Sequence, residues 1–252
     1  MTRLAARITV LAVLATLGGC ATSATTVVAD TAPARGLGAV SPASGTVEAA
    51  DLLPGHEGTE RWRAVEGLLA PGEFDVSTVA EAGNGSRSAT KTADLETATW
   101  SRAADGSLVL EQVDSHPDKA RSIFTPPLLL APPSLAADAD EAVESAMRVV
   151  SLPAGTAERD KGKGRRTVRY GRDETIEWRG QPTQAKVVEV HFVATLGSAK
   201  ADRRSELFVV PGEGIVAERW SETLTILKVF EKKSSQTAVR EGAAVATRRS
   251  AR

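Results

Sequence analysis

Between about Val47 and Lys233, apolar and polar residues alternate with a period of two, broken by short clusters of Gly, Pro, Asp and Ser. That is the pattern of strands with one buried face and one wet face. Val168 and Tyr170 share one side of a segment whose other side carries Thr167 and Arg169. Gly171-Arg172-Asp173 reads as a turn into a strand with Ile176 and Trp178 on one face. Lys186 to Thr195 places Val188, Val190, Phe192 and Ala194 together. Glu206 to Val210 and Ile215 to Trp220 flank Pro211-Gly212, which suits the two central positions of a type II turn. Ser88 to Trp100 and Ser107 to Val113 form a hairpin around Asp105-Gly106. About eight or nine strands joined by short turns predict a mainly β chain built on a single curved antiparallel sheet.

Two segments depart from period two. Thr59 to Leu69 spaces Trp62, Val65, Leu68 and Leu69 as a short helix would. Asp138 to Met147 is rich in Ala, Glu and Asp and has helical propensity, while Met147 to Leu152 is strand-like. Phe124 to Pro133 holds four prolines, none able to donate to a ladder, and is expected as an extended segment crossing the sheet.

Charge and composition narrow the class. The chain has 31 Lys and Arg against 32 Asp and Glu, so it lacks the basic excess of a nucleic-acid binder. Three histidines, one tyrosine and one cysteine leave few groups for catalysis, and no metal or cofactor motif is present. Arg3 and Arg7 precede an apolar run, Ile8 to Leu17, too short for a resident transmembrane helix and suited to a signal peptide. Leu17-Gly18-Gly19-Cys20 follows, and it resembles the lipobox of bacterial lipoproteins. The resemblance implies cleavage before Cys20, acylation of that cysteine with fatty acids such as palmitate, and membrane anchoring. Ala21, where aspartate would favour the inner membrane, implies the outer membrane, facing the periplasm. Two or three acyl chains make such attachment effectively permanent. The expected organisation is a signal peptide (1–19), lipidated Cys20 with a flexible tether (20–46), an antiparallel β domain (47–233) and a disordered basic tail (234–252).

Pro-Pro-Leu-Leu-Leu-Ala-Pro at 126–132 and Leu-Phe-Val-Val-Pro-Gly-Glu-Gly-Ile-Val at 207–216 look like envelope lipoproteins similar to the LolA/LolB half-barrels. That resemblance implies a half-barrel sheet whose hollow takes acyl chains. Trp178, Phe192, Phe208 and Trp220 are the candidate lining.

Asp114-Ser115-His116-Pro117-Asp118 packs the residue types of a hydrolase triad into five positions. A working triad draws its members from separate elements, so this run reads first as a polar hairpin loop. Lys161-Gly162-Lys163-Gly164-Arg165-Arg166 reads as a solvated basic loop, with phosphate binding as the alternative. His191 lies mid-strand and His56 in a turn. The expectation is a non-catalytic, lipid-anchored envelope protein whose β domain binds an apolar ligand or a partner protein. The alternative is a lipid-anchored hydrolase using the Asp114–Asp118 loop.

Overall fold

The computed structural model describes residues 37–52, 58–67, 72–80, 87–152 and 157–245. The signal peptide, Cys20, most of the tether, His56 and residues 246–252 lie outside them.

The strands are β1 (Val40–Pro42), β2 (Thr46–Glu48), β3 (Gly58–Gly67), β4 (Gly72–Ala80), β5 (Arg87–Thr92), β6 (Glu96–Arg102), β7 (Leu108–Ser115) and β8 (Ala120–Ala131). They continue with β9 (Ser134–Ala136), β10 (Asp140–Ser151), β11 (Glu158–Trp178), β12 (Gln181–Leu196), β13 (Ala199–Val210), β14 (Gly214–Ile226), β15 (Phe230–Arg240) and β16 (Ala243–Ala244). A single 3₁₀ turn, Ala49–Leu52, is the only helical element among the described residues.

Every neighbour in the main sheet is antiparallel. The order runs β11-β10-β8-β7-β6-β5-β4-β3-β15-β14-β13-β12, and β12 then pairs with β11. The sheet therefore closes as a barrel-like ring of twelve strands, which leaves no long unpaired edge. Within β11, Val168 and Tyr170 point inward and meet Val188 and Val190 of β12, as the alternation predicts.

The interior is layered. At one end Val47 of β2, Ala49 and Leu52 of the 3₁₀ turn, and Leu135 of β9 pack against Leu108, Leu207 and Ile215, plugging the ring. At the other end Phe124, Met147, Phe192 and Leu224 form a second apolar layer, with the Phe124 and Phe192 rings edge to face at 6.5 Å. Between them lies a belt of buried polar side chains: Arg166, Arg203, Glu218 and Glu222.

The same strands also enclose a core on their outer face. Ala243 and Ala244 pair with Trp178 and Glu177, so the chain after β15 turns back onto β11. Strands β11 to β15, closed by β16, wrap Ile176, Val187, Phe208, Ala217 and Val239 in a second, smaller ring. Trp178 sits at its rim beneath the guanidinium groups of Arg179 and Arg240, 4.9 and 4.5 Å from the ring centre.

Five expectations need correction. Both helical candidates are strands. In β3 the burial alternates through Trp62 and Ala64, with Arg61 and Arg63 exposed. In β10 it alternates through Ser145, Met147 and Val149. Placement between two partner strands overrides their helical spacing and propensity. The turn expected at Gly171 to Asp173 is a bulge inside the continuous strand β11, where Tyr170 faces Val188 and Arg172 faces Val187. The proline run belongs to β8, but its ladder lapses there: pairing to β10 ends at Thr125, and pairing to β7 jumps from Ile123 to Leu128. The tail expected from Ser234 is instead the buried half of β15, ending at Arg240, which is held 2.7 Å from Glu60. The β domain thus begins before Val47 and ends beyond Lys233.

Pro211-Gly212 forms the expected type II turn. Gly212 has φ +78° and Glu213 N–H donates to the Val210 carbonyl at 2.9 Å. Gly214 also needs positive φ, at +83°. A Cβ on Gly212 would meet open space, so the cost of Gly212→Val is entirely backbone strain, about 1–3 kcal/mol. Glu213 between them accepts from both Arg179 and Arg240, so the strain reaches the rim of the smaller ring. Thermal unfolding should show Gly212→Val melting lower by about 2–4 °C per kcal/mol. Gly214→Ala should be destabilised too, and an unchanged melting temperature for both would remove this turn from the framework.

Candidate functional site

Among the described residues, the interior of the main ring holds a cavity of about 60 Å³, bordered by Trp100, Leu128, Phe192, Arg166, Arg203 and Glu218. That volume accommodates a few water molecules and falls far short of the roughly 300 Å³ at which drug-sized ligands are held. Arg203 donates to Glu218 at 3.3 Å and lies over the Trp220 ring at 4.2 Å. Burial pushes the Glu218 and Glu222 carboxyls above the usual carboxylate range. Burial, with the neighbouring Arg203 charge, brings Arg166 down to about 10. This belt is a packed polar core.

The open volume lies outside the ring. A cleft of about 560 Å³ runs across the outer face of β11 to β15 and β3. Its lining comes from two adjacent cross-strand rows. One row reads Arg169, Glu189, Glu206, Arg219, Thr237 and Glu66, each directly opposite the next. The next row reads Thr167, His191, Arg204, Ser221 and Ser235. Residues two apart along a strand share a face, so the sheet gathers these polar side chains on one side.

Glu189 opposite Glu206 is a like-charge pair, which by itself opposes strand pairing. Arg172 resolves it by donating to both carboxylates, at 3.1 Å each, and to Glu174 at 3.0 Å. Arg219 adds a 2.7 Å bond to Glu206 while covering the Phe208 ring. Burial works against the Arg172 charge, but Glu206 and Glu174 outweigh it and hold its guanidinium above the ordinary arginine value. At the bulge, Gly171 leaves room for the Glu189 carboxyl, which a Cβ there would meet at 3.0 Å. On the other row, His191 Nε2 lies 3.0 Å from Asp202 Oδ1.

Of the residues singled out in the sequence, His191 and Trp220 border this cleft and the others fall elsewhere. Phe192 and Trp220 point into the main ring, whereas Trp178 and Phe208 belong to the outer core, so the four line no common hollow. In the Asp114–Asp118 loop, Ser115 donates to Asp118 at 2.6 Å and His116 Nε2 lies 3.0 Å from Thr97 Oγ1. Asp114 accepts a two-pronged bond from Arg121 at 2.6 and 2.7 Å. Those contacts close a hairpin between β7 and β8. The basic run lies in β11, with Lys161 paired to Glu158, Lys163 to Glu144, and Arg166 inside the ring. No candidate metal cluster of three or more His, Cys, Asp or Glu side chains occurs among the described residues.

Sequence reading missed most of the cleft residues because each is one more polar side chain on a wet strand face. The signal was present as alternation, but recognising a row requires knowing which strands are neighbours and in what register.

Removing Arg172 leaves two facing carboxylates without their bridge. Arg172→Leu should cost about 1–3 kcal/mol in urea unfolding at neutral pH. Glu189→Gln in the same chain should restore part of that loss, because it removes one of the two facing charges. An Arg172→Leu protein as stable as the parent would remove the bridge from the account.

No protein-family model matches the sequence, and no curated protein matches it. Among solved structures, the chain is similar to the crystal structure of the hypothetical lipoprotein YmcC from Escherichia coli (K12). The two share 10% identity at a TM-score of 0.37, over 76% of this chain and 91% of that one.

Proposed function

We propose that this chain is a non-catalytic lipoprotein of the bacterial cell envelope, anchored through acylated Cys20 in the outer membrane and facing the periplasm. Its barrel engages a partner protein through the outer cleft. The observation that carries the binding part is the contrast of volumes: about 560 Å³ outside, lined by two polar rows, against about 60 Å³ inside. An acyl chain has no room in the ring, so a partner surface fits the reading better than an apolar ligand. Pre-bridged charges such as Arg172 with Glu189 and Glu206 favour selectivity, since a partner must match a fixed pattern of sign. The anchor rests on Leu17-Gly18-Gly19-Cys20 and the short apolar run before it.

Two experiments test the two halves. Cys20→Ser should abolish incorporation of labelled palmitate and change the mass of the purified chain accordingly. Retained label would contradict the lipobox. A photo-crosslinking residue at Ser235, inside the cleft, should yield a discrete adduct in cells, and Arg204→Glu should abolish it. An adduct unaffected by Arg204→Glu, or none at all, would move binding away from the cleft. A lipid released non-covalently from the barrel in native mass spectrometry would instead favour the apolar-ligand reading.

A further inference from the structure

The hairpin that joins β14 to β15 carries an unusual tip. Leu227, Val229 and Phe230 are 63, 76 and 68% exposed, three of the five large hydrophobic side chains most open to solvent among the described residues. Lys228, Lys232 and Lys233 surround them, and Glu231, bonded to Lys233 at 3.1 Å, is the one acidic residue of the segment from Leu227 to Lys233. The backbone presents these groups at a conformational cost. Leu227 and Lys228 have φ +51° and +60°, and Val229 N–H donates to the Ile226 carbonyl at 3.1 Å. That is the type I′ geometry usually given to Asn-Gly, occupied here by two bulky side chains. Strain of this kind is retained where the displayed side chains serve a purpose.

We propose that this tip docks on an anionic lipid bilayer, burying Leu227, Val229 and Phe230 among the acyl chains while the three lysines meet the headgroup charges. Apolar area flanked by lysines is the combination that binds charged membrane interfaces, each lysine near the surface strengthening binding about fivefold. The proposal rests on the lipoprotein reading for bringing the barrel to the bilayer, and the distances allow both attachments on one membrane. Cys20 lies seventeen residues before Leu37, a reach of at most about 60 Å. Residues Gly162 to Glu174 of β11, which run from the tip's end of the barrel to the pairing with β1, span about 40 Å.

The test uses the full acylated chain carrying Phe230→Trp, reconstituted into vesicles of phosphatidylglycerol and phosphatidylcholine with brominated acyl chains. The four native tryptophans are all buried, so subtracting the parent chain isolates Trp at position 230. Its emission should fall by about half against unbrominated vesicles and shift to the blue. Vesicles of phosphatidylcholine alone, or Lys228→Glu with Lys232→Glu and Lys233→Glu, should abolish that fall. Equal emission in brominated and unbrominated vesicles would overturn the proposal. So would concentration-dependent dimerisation abolished by Phe230→Ser, which would make the tip a contact between copies. The mass of the purified chain reports acylation separately, so failure of the anchor and failure of the tip are distinguishable.

Discussion

The pairing of β11 with β12 is the constraint on which the rest of this molecule depends. Sixteen register partners, from Gly162 with Leu196 to Trp178 with Gln181, join what would otherwise be the two edges of an open sheet. Closure fixes which face of every strand is interior. It also lets β11 serve two rings, its first half facing the main interior through Val168 and its second half the outer core through Ile176. The bulge at Gly171 lies at that transition. One extra residue there changes the register, aims Arg172 at the outer face and leaves space for the Glu189 carboxyl. The cleft is thus a consequence of how the barrel closes.

Charge is used differently on the two faces. Inside, Glu218 and Glu222 are raised by burial, so their ionisation opposes folding. Their contribution is most favourable below the unfolded carboxylate pKa and is lost as pH rises through the folded value. Arg203 offsets part of this through Glu218 and by stacking on Trp220. A pair so deeply buried is weak evidence for stability, because desolvation consumes much of the Coulombic gain. Outside, the Arg172 and Arg219 bridges lie on the wall of the cleft and remain partly exposed.

The sequence disclosed the class of fold because period-two alternation survives in nearly every strand, and it disclosed the Pro211-Gly212 turn because the type II geometry demands those residues. Closure was hidden, since it needs β3 to pair with β15, two strands far apart in sequence with nothing local to state it. The helical readings of Thr59 to Leu69 and Asp138 to Met147 failed for a related reason: propensity is local, and strand partners are not. Arg240 was taken for tail charge, whereas it lies between Glu60, Glu213 and the Trp178 ring. The cleft escaped because Arg169, Glu189, Glu206 and Arg219 come from four strands and become a row only once the register is known.

The placement of these features along the barrel gives the functional reading its geometry. The segment leading from the tether joins β11 at Arg172 to Glu174, the end where the smaller ring closes. The apolar hairpin tip emerges at the opposite end, where Leu227 N–H reaches the Ser198 carbonyl. The cleft lies on the wall between them, near neither terminus of the ring. A barrel attached at both ends to one membrane would lie along its surface, which fixes the wall that faces away from the lipid. A cleft of bridged charges is useful to a soluble partner only on that wall, so the orientation of the barrel decides whether Arg172, Glu189 and Glu206 are presented or shielded.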